Sequence, residues 1–265
     1  MNKTIPGPED DKDQGKSEYW YRVLKTALDL PGARIDRASF LQTELSKHFP
    51  EEVVKRAIET RPAAAGIPKS AIHSIAMANI AWHRGGVSVV SFIAGVPGGW
   101  WMFGTIPADL TQFFWHVAVI LQKLSYLYGF PSLTDKDQEL DAETLSIFTI
   151  FIGVMFGVAS ASKALGVIAE KVAEQVFTRL PKEALTKWGI YLLAKEVAKW
   201  IGVKLTKQAF SRVISKAIPF ISGFISGGIS WIAFSVMSKR LRNHLEGLRL
   251  SNPDDGVQMH KPFPE

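Results

Sequence analysis

Over the first third of the chain, apolar positions recur at helical spacing within a charged background, and this predicts short amphipathic helices. Tyr19, Trp20, Val23, Leu24 and Leu28 share one face of a helix that starts near Ser17 and stops at Leu30-Pro31-Gly32. Asp36 introduces a second helix, RASFLQTELSKHF, which ends before Pro50. Glu51 to Thr60 form a third, closed by Arg61-Pro62. After the connector PAAAGIPKS, Ser70 is expected to cap AIHSIAMANIAWHR.

At Gly85-Gly86 the pattern changes. No charged residue occurs from Gly85 to Ala108, a length that on paper crosses the ~30 Å hydrocarbon of a bilayer. Glycines and the prolines Pro97 and Pro107 argue against one straight helix, so a re-entrant or buried hairpin turning at Pro97-Gly98-Gly99 is expected. A long helix then runs from Pro107 to Gly129, with Pro at its first turn and Gly just past its last. After the polar stretch Leu133–Glu143 come the uncharged TLSIFTIFIGVMFGVASAS and the amphipathic KALGVIAEKVAEQVFTRL. A basic region follows Pro181, and then IPFISGFISGGISWIAFSVMS leads into the cationic KRLRNHLEGLRL.

Nothing alternates with the period of a strand. The expected fold class is all-α, a multi-helix globule with apolar Gly-rich helical hairpins packed against amphipathic helices. Residues 1–16 and 251–265 read as flexible tails, the first of them disordered. Residues 17–250 read as a single domain, with a polar helical part (17–84) and an apolar hairpin core (85–250). Gly153/Gly157 and Gly223/Gly227 are small-residue pairs one turn apart, a spacing that lets helix backbones approach closely in lipid or in a soluble core. Each apolar block is near spanning length, but Ser and Gly dilute its hydrophobicity and a charged helix adjoins it. Integral, surface-bound and soluble states therefore stay open.

The absence of cysteine removes disulfides, thiolate metal sites and cysteine nucleophiles. The opening MNKTIPGPEDDKDQGKSEYW lacks the apolar core of a signal peptide, so a cytoplasmic location is expected, with the inner face of the membrane as a place of action. Between Lys182 and Lys216 eight cations face only Glu183 and Glu196, so this segment alone matches the chain's net charge of +6. Lys195, Lys199, Lys204, Lys207, Arg212 and Lys216 are the expected contacts with an anionic surface; the plainer reading is a solvated helix face.

On the helix from Pro107, the residues Asp109, Gln112, His116 and Lys123 form a polar stripe on an otherwise apolar rod. In a shielded groove, an acid and an imidazole could move protons or line a pocket for an apolar ligand. Alternatively the stripe is that helix's solvated face, and Asp109 a first-turn acid favoured by the helix dipole. Pro97, Gly98, Gly99, Trp100 and Trp101 form a tip suited to the headgroup level of a membrane, or to core filling. GVPGGWWMFG has no GK[ST] after it and is no phosphate loop. The six histidines show no HxxxH or HExxH spacing, so no metal is expected. His73 and His83 lie ten apart, near different faces of one helix. No nucleic-acid readout motif stands out, and no cofactor is expected.

GVPGGWWMFGTIPADL, QKLSYLYGF and IGVMFG, with YWYRVLKTALDLPGARIDRASFL before them and IPFISGFISGG and MSKRLRNHL after, resemble the EcsC family over Tyr19 to Leu245. Trp100-Trp101 is bulkier than the family pattern at that place. The resemblance implies a bacterial origin and a link to membranes, since the founding member is encoded beside components of an ABC exporter and some relatives are tied to membranes or lipid droplets. It supplies no catalytic residues. The resulting expectation is a non-enzymatic, membrane-associated helical protein that binds anionic lipid or a membrane protein such as an exporter component. The alternatives are an enzyme or carrier with an apolar ligand pocket lined by Asp109, His116 and Lys123, and an effector or interaction protein in bacterial conflict.

Overall fold

The computed structural model describes residues 8–87, 108–134, 139–174, 189–204 and 228–252. Among these the chain is helical, as expected: α1 (Pro8–Asp29), α2 (Arg37–Leu45), α3 (Glu51–Glu59), α4 (Lys69–Val87), α5 (Ala108–Leu127), α6 (Ala142–Phe156), α7 (Ala159–Glu174), α8 (Ile190–Lys204) and α9 (Gly228–Glu246), with a short 3-10 turn at Arg249–Ser251. One hydrophobic core runs from Trp20 to Leu250 and joins what the sequence pattern divides at residue 85.

α6 is the central rod. Every residue from Thr144 to Met155 is buried, because α7, α8 and α9 surround it and α1 and α5 touch it. Its polar residues turn inward on the helix itself: Ser146 Oγ donates to the Ala142 carbonyl (2.7 Å) and Thr149 Oγ1 to that of Leu145 (2.7 Å). Thr149 also accepts from the fully buried Trp20 indole on α1 (2.9 Å), so the side chains that thin the apolar pattern cost little when desolvated.

Several expectations are corrected. α1 starts at Pro8, inside the stretch read as a tail; Pro at the first helical position followed by Glu9, Asp10 and Asp11 is a favourable helix start. Ser70 does not cap α4. The first turn there closes on the Pro68 carbonyl, which accepts from Ala71 and Ile72. Asp36 does cap α2, accepting from the Ser39 N–H at 2.8 Å.

The uncharged run 144–162 is two helices, not one. Gly157 has φ +81 and ends α6, with the Val158 N–H returning to the Gly153 carbonyl at 2.9 Å. Gly153 and Gly157 therefore do different jobs, one a packing surface and the other a cap, while Gly223 and Gly227 lie outside the described residues. At 15 residues, α6 is about 22 Å long, short of the ~30 Å hydrocarbon thickness. Among the described residues no helix is long and apolar enough to cross a membrane.

Two buried polar side chains hold the α2–α5 region. Arg37, 9% exposed, donates to the carbonyls of Phe130 (3.0 Å), Ile58 (2.6 Å), Ala57 (3.3 Å) and Thr60 (3.0 Å). A guanidinium thus sits on the carbonyl end of α3, where the helix dipole favours a cation. Gln122, wholly buried on α5, donates to the carbonyls of Ala33 (2.7 Å) and Ala118 (2.8 Å) and accepts from Ile35 N–H (3.0 Å) and Thr134 Oγ1 (3.0 Å). All four of its hydrogen-bonding positions are used.

Candidate functional site

α5 carries the predicted polar stripe, and the neighbours of α5 decide what the stripe is. α1, α2, α4 and α9 all pack against it, so little of the helix meets solvent. His116 is buried, Gln112 is partly buried and Lys123 is half-buried. The side chain of Asp109 lies outside the described residues. Among its described members, Gln112, His116 and Lys123, the stripe is therefore not an open solvated face.

The structure supplies His116 with a partner that spacing within a helix cannot show. His83 of α4, 1% exposed, lies with its ring centroid 5.8 Å from that of His116 and nearly perpendicular to it. Trp82 and Trp115 stack edge-on against the two imidazoles, each at 4.7 Å, and Phe234 of α9 closes the far side of His116 at 6.4 Å. Both ring nitrogens of His83 and Nδ1 of His116 have no hydrogen-bonding partner among the described residues. A buried polar atom in that state costs about 1–3 kcal/mol.

Protonation would be costlier still. Burial first, then the nearby charge of Lys123 and then His116, hold His83 at about 3; burial holds His116 at about 4. Both rings are neutral at pH 7, each with one N–H and one lone pair. Imidazoles held so far below neutrality are weak bases, which disfavours general-base chemistry at physiological pH. Lys123 completes the group. Its ammonium lies 5.2 Å from the ring centre of Trp82 and 5.6 Å from that of Phe40, a cation–π seat. Burial lowers its proton affinity, and Glu44 pulls it the other way. Among the described residues no cluster of three or more metal-ligating side chains occurs.

His73, the other histidine of α4, faces a different region, as the spacing implied. It accepts from Arg242 (2.6 Å) and lies 3.4 Å from Glu246, which Arg242 also bridges at 3.2 Å. This partly exposed network ties α4 to α9.

The basic segment is described only over α8. Its inward face is Ile190, Ala194, Val197, Ala198 and Ile201; the outward face carries Leu192, Lys195, Glu196, Lys199 and Val203. Leu192 is 69% exposed and Val203 37%. Lys195 caps the ring of Tyr191 at 4.8 Å. α7 packs on α6 and on α8; its exposed residues include Lys163 and Val167, and Glu170 pairs with Arg249 at 3.5 Å. The Lys204 side chain, and Lys207, Arg212, Lys216 and the tip Pro97–Trp101, lie outside the described residues.

No protein-family model, curated protein or solved structure matches this chain.

Proposed function

We propose that the protein is a non-enzymatic peripheral membrane protein that binds anionic lipid through the outward face of α8 and the adjoining face of α7, at the inner surface of a bacterial membrane. The resemblance to the EcsC family supports the membrane link. The observation that carries the reading is that Leu192 and Val203 stand exposed on the same stripe as Lys195 and Lys199. Aliphatic groups flanked by lysines suit the boundary between acyl chains and acidic headgroups.

The magnitudes fit reversible docking. Lys163 and Lys195 against Glu196 leave one excess cation, worth about 1 kcal/mol near an acidic surface. Covering Leu192, Val203 and Val167 adds about 3 kcal/mol. A total of roughly 4 kcal/mol corresponds to a dissociation constant of about 1 mM. Such a protein exchanges on and off the membrane.

Co-sedimentation with protein-free vesicles of mixed zwitterionic and anionic lipid tests this. Binding is expected at low salt, with a loss of at least tenfold in Lys195→Glu/Lys199→Glu and in half-molar salt, and a smaller loss in Leu192→Ser. Binding indifferent to salt and to charge reversal would refute the electrostatic docking. Binding to native membranes alone would move the contact to a membrane protein, such as an exporter component.

A further inference from the structure

The geometry points to a second site, for an organic monoanion, a carboxylate carried on an apolar body, seated between α2, α4 and α5 with the Lys123 ammonium and the His83 imidazole N–H as its donors. Three observations carry it. Half-buried Lys123 lies over the ring of the 69%-exposed Trp82, the Trp82 ring meets that of His83, and His83 in turn meets His116. His83 is 1% exposed with neither ring nitrogen partnered among the described residues, and buried polar atoms left in that condition call for a ligand or water. Aromatic rings lie against these groups: Phe40 and Trp82 at Lys123, Trp82 at His83, and Trp115 and Phe234 at His116.

Charge sets the ligand class. Glu44 is already engaged, accepting from Lys47 at 2.8 Å and from Asn79 at 3.2 Å, so Lys123, Lys47 and Glu44 together leave one positive charge. A cation would meet Lys123, and a metal ion would compete with that same charge for two lone pairs. A phosphate dianion exceeds the available charge. A carboxylate matches it, and its two oxygens accept from one ammonium and one imidazole N–H. The aromatic neighbours then favour an acyl or aryl body over a bare anion.

This site shares no residue with the α8 surface, and its test uses no vesicles. Isothermal titration with laurate below its micelle concentration is expected to show one site. Lys123→Met and His83→Leu should each weaken it at least tenfold, whereas Lys123→Arg should keep it within about threefold. Dodecyltrimethylammonium and inorganic phosphate should bind at least tenfold more weakly than laurate. Laurate affinity unchanged in both Lys123→Met and His83→Leu, or matched by the cationic amphiphile, would overturn the proposal; phosphate binding as tight as laurate would overturn the carboxylate assignment. Should His83→Leu fail to fold, the contrast between Lys123→Met and Lys123→Arg decides alone.

Discussion

Gly153 offers the sharpest test of how the bundle is packed. A Cβ placed there would lie 2.6 Å from the Cβ of Ala161 on α7 and 2.6 Å from a Val197 methyl on α8. Carbon atoms rest at about 3.5–4.0 Å, so roughly 1 Å must be found on two sides at once. Neither neighbour can yield by rotating a long side chain, because Ala161 has no rotamer and Val197 is β-branched and stiff. The helices themselves must separate. Overpacking of this kind costs about 1–3 kcal/mol, and the upper end applies when two helices are pushed. The better helix propensity of alanine returns about 1 kcal/mol, leaving Gly153→Ala destabilised by about 2 kcal/mol.

Gly166 is the internal control. It lies in α7, one helix away, and a Cβ there meets nothing within 4 Å, so Gly166→Ala should gain about 0.5–1 kcal/mol. The two alanines, identical in chemistry, should differ by about 3 kcal/mol in urea unfolding followed by far-UV circular dichroism. For a chain of this size that is a gap of about 6–12 °C in Tm. A gap below 1 kcal/mol, or a Gly153→Ala protein as stable as its parent, would refute the close approach of α6, α7 and α8.

Acid should loosen the fold in a window set by His83 and His116. Their folded values, about 3 and about 4, lie below the ordinary 6.5, so the unfolded chain takes up protons first. Stability is therefore complete above about pH 6.5 and lost as pH falls toward 4 and 3, at up to about 1.4 kcal/mol per pH unit for each ring. Urea midpoints measured from pH 7 to 4.5 check this, and the slope should flatten in His83→Leu/His116→Leu; an unchanged slope counts against buried neutral rings. Arg37→Met should cost about 3–5 kcal/mol, since it strips the hydrogen bonds from four carbonyls at the end of α3 and after α5. A loss under 1 kcal/mol in thermal melts would show that water replaces the guanidinium.

What the sequence by itself determined is local. The 3.6-residue apolar period, Asp36 as a cap, Pro107 ahead of α5 and Gly129 behind it are properties of neighbouring residues, and they place helices with no knowledge of the fold. The stripe on α5 was legible for the same reason, since one helix sets which residues share a face. What that stripe meets was not. His83 and His116 stand 33 positions apart on different helices, so no spacing rule joins them; only the packing of α4 on α5 does. Gln122 and Arg37 escaped notice because their partners are backbone carbonyls and amides, which every residue carries and no pattern marks. Gly153 and Gly157 looked equivalent as a pair. The tertiary structure separated them, because one backbone had to lie against α7 and α8 while the other had to turn, and only position in space distinguishes those demands.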